Sequence, residues 1–299
     1  MGETGSGCRG RGDGHFHPSR VPGPPGGRQR QAGPGVSAGA ARRRLVKALR
    51  AVPSDVRVRL EGLAVEAARI RKRRDLIWFL LLDSMSTWGN SRGHRGLIEE
   101  PKNYQRVTFR QLKSLRPKAR TGRLELVLRA AKVMWPARKA AYLSGNFDRI
   151  QTLGGLAAVK RTALGLKGRD AKIEFLQQFQ GIGEKYARNC WMLLKDPDFE
   201  DCVALDSRIE KVERLLGTDR GGYAEREQYL VAIAHDAGLS GWELDRILYN
   251  DWEWAMRPSR GRRRGMGTGV NSRLTPALRG SSWLFRKAEV RNCRRAFFC

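Results

Sequence analysis

The chain of 299 residues carries 58 basic and 30 acidic side chains, a formal charge of +28. Only 20 of the basic and 3 of the acidic residues lie in the two ends, 1–44 and 257–299, so the segment between them keeps +11, a balance that favours a polyanion such as nucleic acid. A seven-residue longest apolar run, Leu76–Leu82, excludes a membrane-spanning helix, and five Cys without paired spacing exclude a disulfide scaffold.

These properties predict a soluble monomer of a reducing intracellular compartment, cytoplasm (nucleoid) or nucleus. Residues 1–44 hold twelve Gly and five Pro, with Val21 and Val36 as their only branched aliphatics. They read as a basic flexible tail that cannot bury enough surface to offset its ordering entropy. Leu45–Ile70 shows helical apolar spacing in patches. Asp75–Met85 contains LIWFLLL, apolar all round as in a buried helix. A Gly- and Arg-rich loop, TWGNSRGHRG, follows at 87–96. Thr108 with Gln111 fits a capping box. Leu124, Val127, Leu128 and Ala131 form a stripe that stops near Pro136.

Further on, Ile173, Leu176 and Phe179 predict a short helix ending at Gln180-Gly181-Ile182-Gly183. A second helix runs from Glu184 to about Lys195, with Tyr186, Ala187, Cys190, Trp191 and Leu194 on one face. After a polar loop, Asp196–Asp201, helices are expected near Ser207–Leu216 and over Tyr223–Ala237, the latter closed by Gly238. Ser240 with Glu243 forms a second capping box ahead of Gly241–Ala255. Trp242, Trp252 and Trp254 stand at helical spacing and read as core. No strand pattern appears, so the expectation is an all-α core over 45–256, followed by a second basic flexible tail, 257–299.

The chemistry concentrates in FLQQFQGIGEKYARNCWMLL, 175–194. Glycine at 181 and 183 frees the turn from steric limits and removes side chains that would block a phosphate. The amides of Gly183 to Lys185 then face outward at the positive end of a helix dipole, a sequence-independent grip on a DNA backbone. Glu184 and Arg188 belong to the same surface. Twenty-one residues beyond Lys185, CVALDSRIEKV at 202–212 delivers Asp206 to the mouth of another helix.

With F-Q-G-I-G-E-K-Y-A at 179–187 and V-A-L-D-S-R-I at 203–209, the chain resembles the helix-hairpin-helix DNA glycosylases, the superfamily of endonuclease III, 8-oxoguanine glycosylase and adenine glycosylase. The specific match covers roughly 175–212. The resemblance implies a helical glycosylase fold with a DNA groove between two lobes, acting on double-stranded DNA that contains a damaged base. It implies that Lys185 attacks the sugar as an amine, forms a Schiff base and eliminates the 3′ phosphate, with Asp206 as the essential acid. The helix dipole and nearby Arg188 favour a lowered Lys185 pKa. Asp206 also fits an N-cap, with Ser207 and Glu210 as a capping box.

Extrusion of a nucleotide leaves a gap to be filled. The 87–96 loop is the expected source, with Asn90 or Trp88 as the wedge and Arg92 and Arg95 on the flanking phosphates. No cofactor or metal is expected. Cys293 and Cys299 have the spacing of the last two ligands of the iron–sulfur cluster in some relatives, but two thiolates cannot hold it, and His15 and His17 lack partners. The resemblance allows a monovalent cation at the hairpin carbonyls. Arg208 and Ser207 depart from the His and Thr of many relatives. Two other readings stay open: a glycosylase that uses water as nucleophile, and a non-catalytic hairpin that only grips DNA. The lesion itself is not legible, with a slight preference for an oxidised purine over a pyrimidine.

Overall fold

Helical structure begins where the composition suggested a tail. In the computed structural model, which describes residues 37–89 and 92–256, the Ser37 hydroxyl accepts from Ala40 N and starts α1, Ala38–Arg50. The tail boundary at 44 is therefore seven residues too late. Ala41, Leu45, Val46 and Leu49 form the buried stripe that holds this helix, and their burial outweighs the charge of Arg42–Arg44 on the opposite face. The remainder of the N-terminal tail and the whole C-terminal tail, with Cys293 and Cys299, lie outside the described residues.

Pro53 cannot continue α1 and begins α2, Ser54–Lys72. The apolar run becomes α3, Leu76–Thr87, whose residues 76–82 are all buried. Ten of its twelve residues are buried, so α3 is packed on all sides and is the central helix. Short helices follow: α4, Arg92–Leu97; α5, Pro101–Arg106; and α6, Phe109–Lys113. Thr108 caps α6 by accepting from Gln111 N at 3.4 Å. The second half of the expected 87–96 loop is thus a helix. Its glycines serve close packing, since a Cβ at Gly93 would meet Ser86 and Val133, and one at Gly96 would run into the Ala131 carbonyl.

Proline at the first helical position opens both α7, Pro117–Ala130, and α8, Pro136–Thr152. After α9, Gly155–Gly165, come α10, Arg169–Gln177, and α11, Glu184–Leu193, the two arms of the hairpin. The polar 196–201 loop contains a 3-10 turn, Pro197–Phe199. It also contains a buried ion pair in which Asp196 accepts from Lys172 Nζ at 2.5 Å. Then follow α12, Ile209–Leu216; α13, Tyr223–Ala237; and α14, Gly241–Met256. Gly217 and Gly238 close α12 and α13 with left-handed backbone. At α14 the capping box is reciprocal: Glu243 Oε2 accepts from Ser240 N at 2.8 Å and Ser240 Oγ accepts from Glu243 N at 3.2 Å.

No strand occurs among the described residues. The first and last described helices meet: α1 packs on α12, α13 and α14, while α3 packs on α4, α8, α9 and α11. No helix among the described residues is long and apolar enough to cross a membrane. Trp242 is a core residue, its indole N–H donating to the Met192 carbonyl at 2.7 Å, and Trp254 packs partly buried against the core.

Candidate active site at the hairpin and the pinned extended segment

Gly181 has φ +81°, where side chains are strained, and a Cβ there would collide with Met85 and Tyr142. Gly183 is different. Its φ is −89°, open to any residue, and a Cβ at that position would meet nothing within 4 Å. Of the two glycines, one is required by the fold and the other only keeps the approach to α11 open. No side chain caps α11, and the first intrahelical bond in that turn is Ala187 N to Gly183 O. The amides of the first turn therefore remain available to an anion.

The hairpin is braced from α8, a contribution that sequence reasoning missed. Buried Asn146 accepts from Gln180 N at 2.7 Å and donates to Gln180 O at 3.0 Å. The Phe179 carbonyl accepts from Ile182 N. The Phe179 and Gln180 carbonyls are thus satisfied by the chain itself.

Lys185 is exposed on the first turn of α11, its Nζ 5.8 Å from the Tyr186 ring centroid. Glu184 is exposed beside it and turns back along the helix to accept from Arg188 at 3.0 Å. Arg188 also donates to Glu227 at 3.1 Å and lies 4.6 Å over the Tyr223 ring. Two carboxylates thus hold Arg188, so it does not stand beside Lys185 as an uncompensated cation.

Asp206 ends a five-residue segment without regular secondary structure, 202–206, whose first four members are buried. Buried amides need partners, and here side chains from α13 and α14 supply them in place of a neighbouring strand. Glu227 accepts from Val203 N at 3.0 Å, Asp245 from Ala204 N at 2.9 Å, and Tyr223 Oη from Leu205 N at 3.3 Å. Three consecutive amides are pinned, which fixes where Asp206 emerges. Asp206 Oδ1 accepts from Arg208 N at 2.8 Å and Ile209 N at 3.0 Å, so this oxygen caps α12. Oδ2 has no hydrogen-bond partner among the described residues. Arg208, the departure from His, donates to the Tyr249 carbonyl at 2.6 Å and leaves the carboxylate alone.

Lys185 and Asp206 share one electrostatic neighbour, Asp245. Asp245 is buried on α14, and burial pushes its carboxyl up to about 6, with Arg246 opposing and with Asp206 raising and Lys185 lowering it. Both proposed catalytic groups therefore act electrostatically on the same buried carboxyl. Nothing in the local sequence marked Asp245, Glu227 or Tyr223, since each acts on a segment at least eighteen residues away. Burial also pushes the Cys190 and Cys202 thiols up to about 12, which leaves both inert as nucleophiles.

Of the expected DNA contacts, Arg92 and Arg95 fall on α4, and Asn90 lies outside the described residues. Trp88 is half-buried against Trp135, with ring centroids 5.7 Å apart.

No family model matches the chain, and no curated protein matches it. Among solved structures, it is similar to the crystal structure of the 8-oxoguanine DNA glycosylase of Thermotoga maritima, with a TM-score of 0.53 over 70% of this chain and 95% of that one, at 18% identity. At this identity the likeness is one of fold.

Proposed function

We propose that the protein is a base-excision DNA glycosylase with associated β-elimination activity. Lys185 is its nucleophile and Asp206 its catalytic carboxylate. What supports this reading is that an exposed lysine and a half-capped aspartate both act electrostatically on the buried Asp245 carboxyl, with the lysine at a helix N-terminus that no side chain caps. A non-catalytic hairpin accounts for the open amides but not for three side chains pinning the segment that presents Asp206.

In the proposed reaction the hairpin amides hold a phosphate and the damaged nucleotide leaves the stack. The neutral Lys185 amine attacks C1′ as the N-glycosidic electrons leave with the base, which is protonated from solvent. Asp206 Oδ2 stabilises positive charge developing on the sugar and accepts the proton that the amine loses. Ring opening gives an imine between Nζ and C1′. Loss of a C2′ proton then expels the 3′ phosphate, and water hydrolyses the imine to free the enzyme. The first substrate to test is an oxidised purine of the 8-oxoguanine type, with oxidised pyrimidines in the same panel.

The experiment is incubation of lesion-containing duplexes with protein and borohydride, with Lys185→Gln as control. A covalent complex formed by the wild type and lost in the variant supports the reading. Abasic product without a crosslink supports hydrolysis by water, and binding without either supports a non-catalytic hairpin.

A further inference from the structure

We propose that α5, α6 and the start of α7 form a second duplex-binding surface, which holds lesion-free DNA apart from the strand at the hairpin. This goes beyond the glycosylase reading, since nothing in it depends on Lys185.

The charge of this region is one-sided. Residues 101–124 contain eight basic side chains and no Asp or Glu. Arg120 is buried and bonded to Ser144 and Asp148. Lys102, Arg106, Arg110, Lys113, Arg116 and Lys118 are exposed, and among the described residues none of the six has an ion pair. Cations on other helices do find carboxylates, as Arg42 does in Asp236, Arg59 in Asp251 and Arg69 in Glu66. Like charges gathered without counter-charges repel one another, a cost that a polyanion removes.

Packing turns these cations outward together. Val107, Phe109 and Leu112 are buried, Phe109 stacks on Phe147 with ring centroids 4.1 Å apart, and the Trp78 indole donates to the Val107 carbonyl at 2.8 Å. Residues 107–108 and 114–116 are the only links between the three helices, so the six side chains share one short stretch of surface.

Three features select nucleic acid. No large apolar side chain is exposed among residues 101–125, whereas the centre of a protein interface needs one. Three of the six cations are Arg, whose planar forks match phosphate oxygens. No side chain caps α7, and its first intrahelical bond is Arg120 N to Arg116 O, so amides open to an anion lie next to Arg116 and Lys118.

The surface is separate from the hairpin. On α8, Ser144 and Asp148 meet Arg120 of α7, whereas Gly145 and Asn146 meet Gln180 of the hairpin. The 14 residues of α7 also put about 21 Å between Pro117 and the turn whose Trp135 meets Trp88. With two such surfaces the protein can hold one duplex while engaging the next, and so pass between segments without leaving DNA.

The test mixes the full chain with short lesion-free duplexes, half carrying a fluorescence donor and half an acceptor, so that energy transfer reports two duplexes on one protein. Wild type is expected to give transfer. Arg106→Gln/Arg110→Gln/Lys113→Gln/Arg116→Gln is expected to bind the second duplex about tenfold or more weakly, with affinity for the first unchanged. All four positions are exposed, and circular dichroism checks that the variant is folded. Acetylation of wild type, which needs no variant, reads Lys102, Lys113 and Lys118, whose reactivity is expected to fall when excess duplex is bound. No transfer by wild type, transfer by the variant equal to wild type, or lysines as reactive with duplex as without it overturns the assignment. Protection of these lysines by polyglutamate but not by duplex also overturns it, in favour of an acidic polypeptide. Neither readout needs Lys185, so a protein that bridges duplexes yet traps none with borohydride keeps this surface and loses the glycosylase reading.

Discussion

Substituting the two hairpin glycines separately divides what folding demands from what DNA demands. Gly181→Ala places a Cβ at φ +81° and drives it into Met85 and Tyr142. The left-handed backbone costs about 1–2 kcal/mol and the overpacking about 1–3 kcal/mol more. At roughly 2–4 °C per kcal/mol for a domain of this size, the melting temperature falls by about 4–20 °C. Gly183→Ala has extended backbone and open space around the added methyl, so its melting temperature stays within about 2 °C of wild type. That methyl stands where a phosphate must approach the first-turn amides. Losing one charge-assisted hydrogen bond of about 1.5–3 kcal/mol weakens duplex binding about tenfold or more. Thermal circular dichroism and fluorescence anisotropy on the same preparations read the two effects. A Gly183→Ala protein that melts as low as Gly181→Ala, or that binds duplex like wild type, refutes the division.

Three other outcomes follow from the pinned segment. Asp206→Asn keeps an oxygen to cap α12, so urea unfolding shifts by less than about 1 kcal/mol, while base release slows by about two to four orders of magnitude. Asp245 is raised by burial to about 6, so the folded state favours its protonated form and loses stability as pH rises from about 4 to above 6. Asp245→Asn lacks that loss, and its stability relative to wild type grows by up to about 3 kcal/mol between pH 4 and pH 7 in urea titrations; a constant difference contradicts the buried carboxyl. Glu227→Ala leaves the buried Val203 amide without its acceptor and Arg188 with Glu184 alone, and costs about 1–3 kcal/mol, measurable as a lower urea midpoint together with slower base release.

The sequence was most legible where a pattern needs no distant partner. The LIWFLLL run is buried on all faces as α3, Gly238 caps α13, and Ser240 and Glu243 satisfy each other within four residues. Legibility failed where long-range contacts decide. Helix α8 went unread because its inward face carries Lys139, Ser144 and Asn146, polar residues whose burial depends on Trp88, Arg120 and Gln180. Gly93 and Gly96 looked like loop residues by propensity, yet they let α4 lie against Ala131 and Val133. Arg42–Arg44 hid α1 in an apparent tail, and only the packing of Ala41 and Leu45 onto the last helices reveals it. The candidate site divides the same way. Gly181, Lys185 and Asp206 stood out by spacing, whereas Tyr223, Glu227 and Asp245, which hold the Asp206 segment, are joined to it only by the fold.

The central claim is that the Lys185 amine and the Asp206 carboxylate serve the same sugar carbon. Peptide mapping of the borohydride-reduced complex with abasic duplex tests it most directly, because a nucleoprotein adduct on Lys185 blocks tryptic cleavage and yields a DNA-bearing peptide spanning 173–188. That peptide, strongly reduced in yield by Asp206→Asn, is the expected result. An adduct on any other amine, or an Asp206→Asn yield equal to wild type, contradicts the claim.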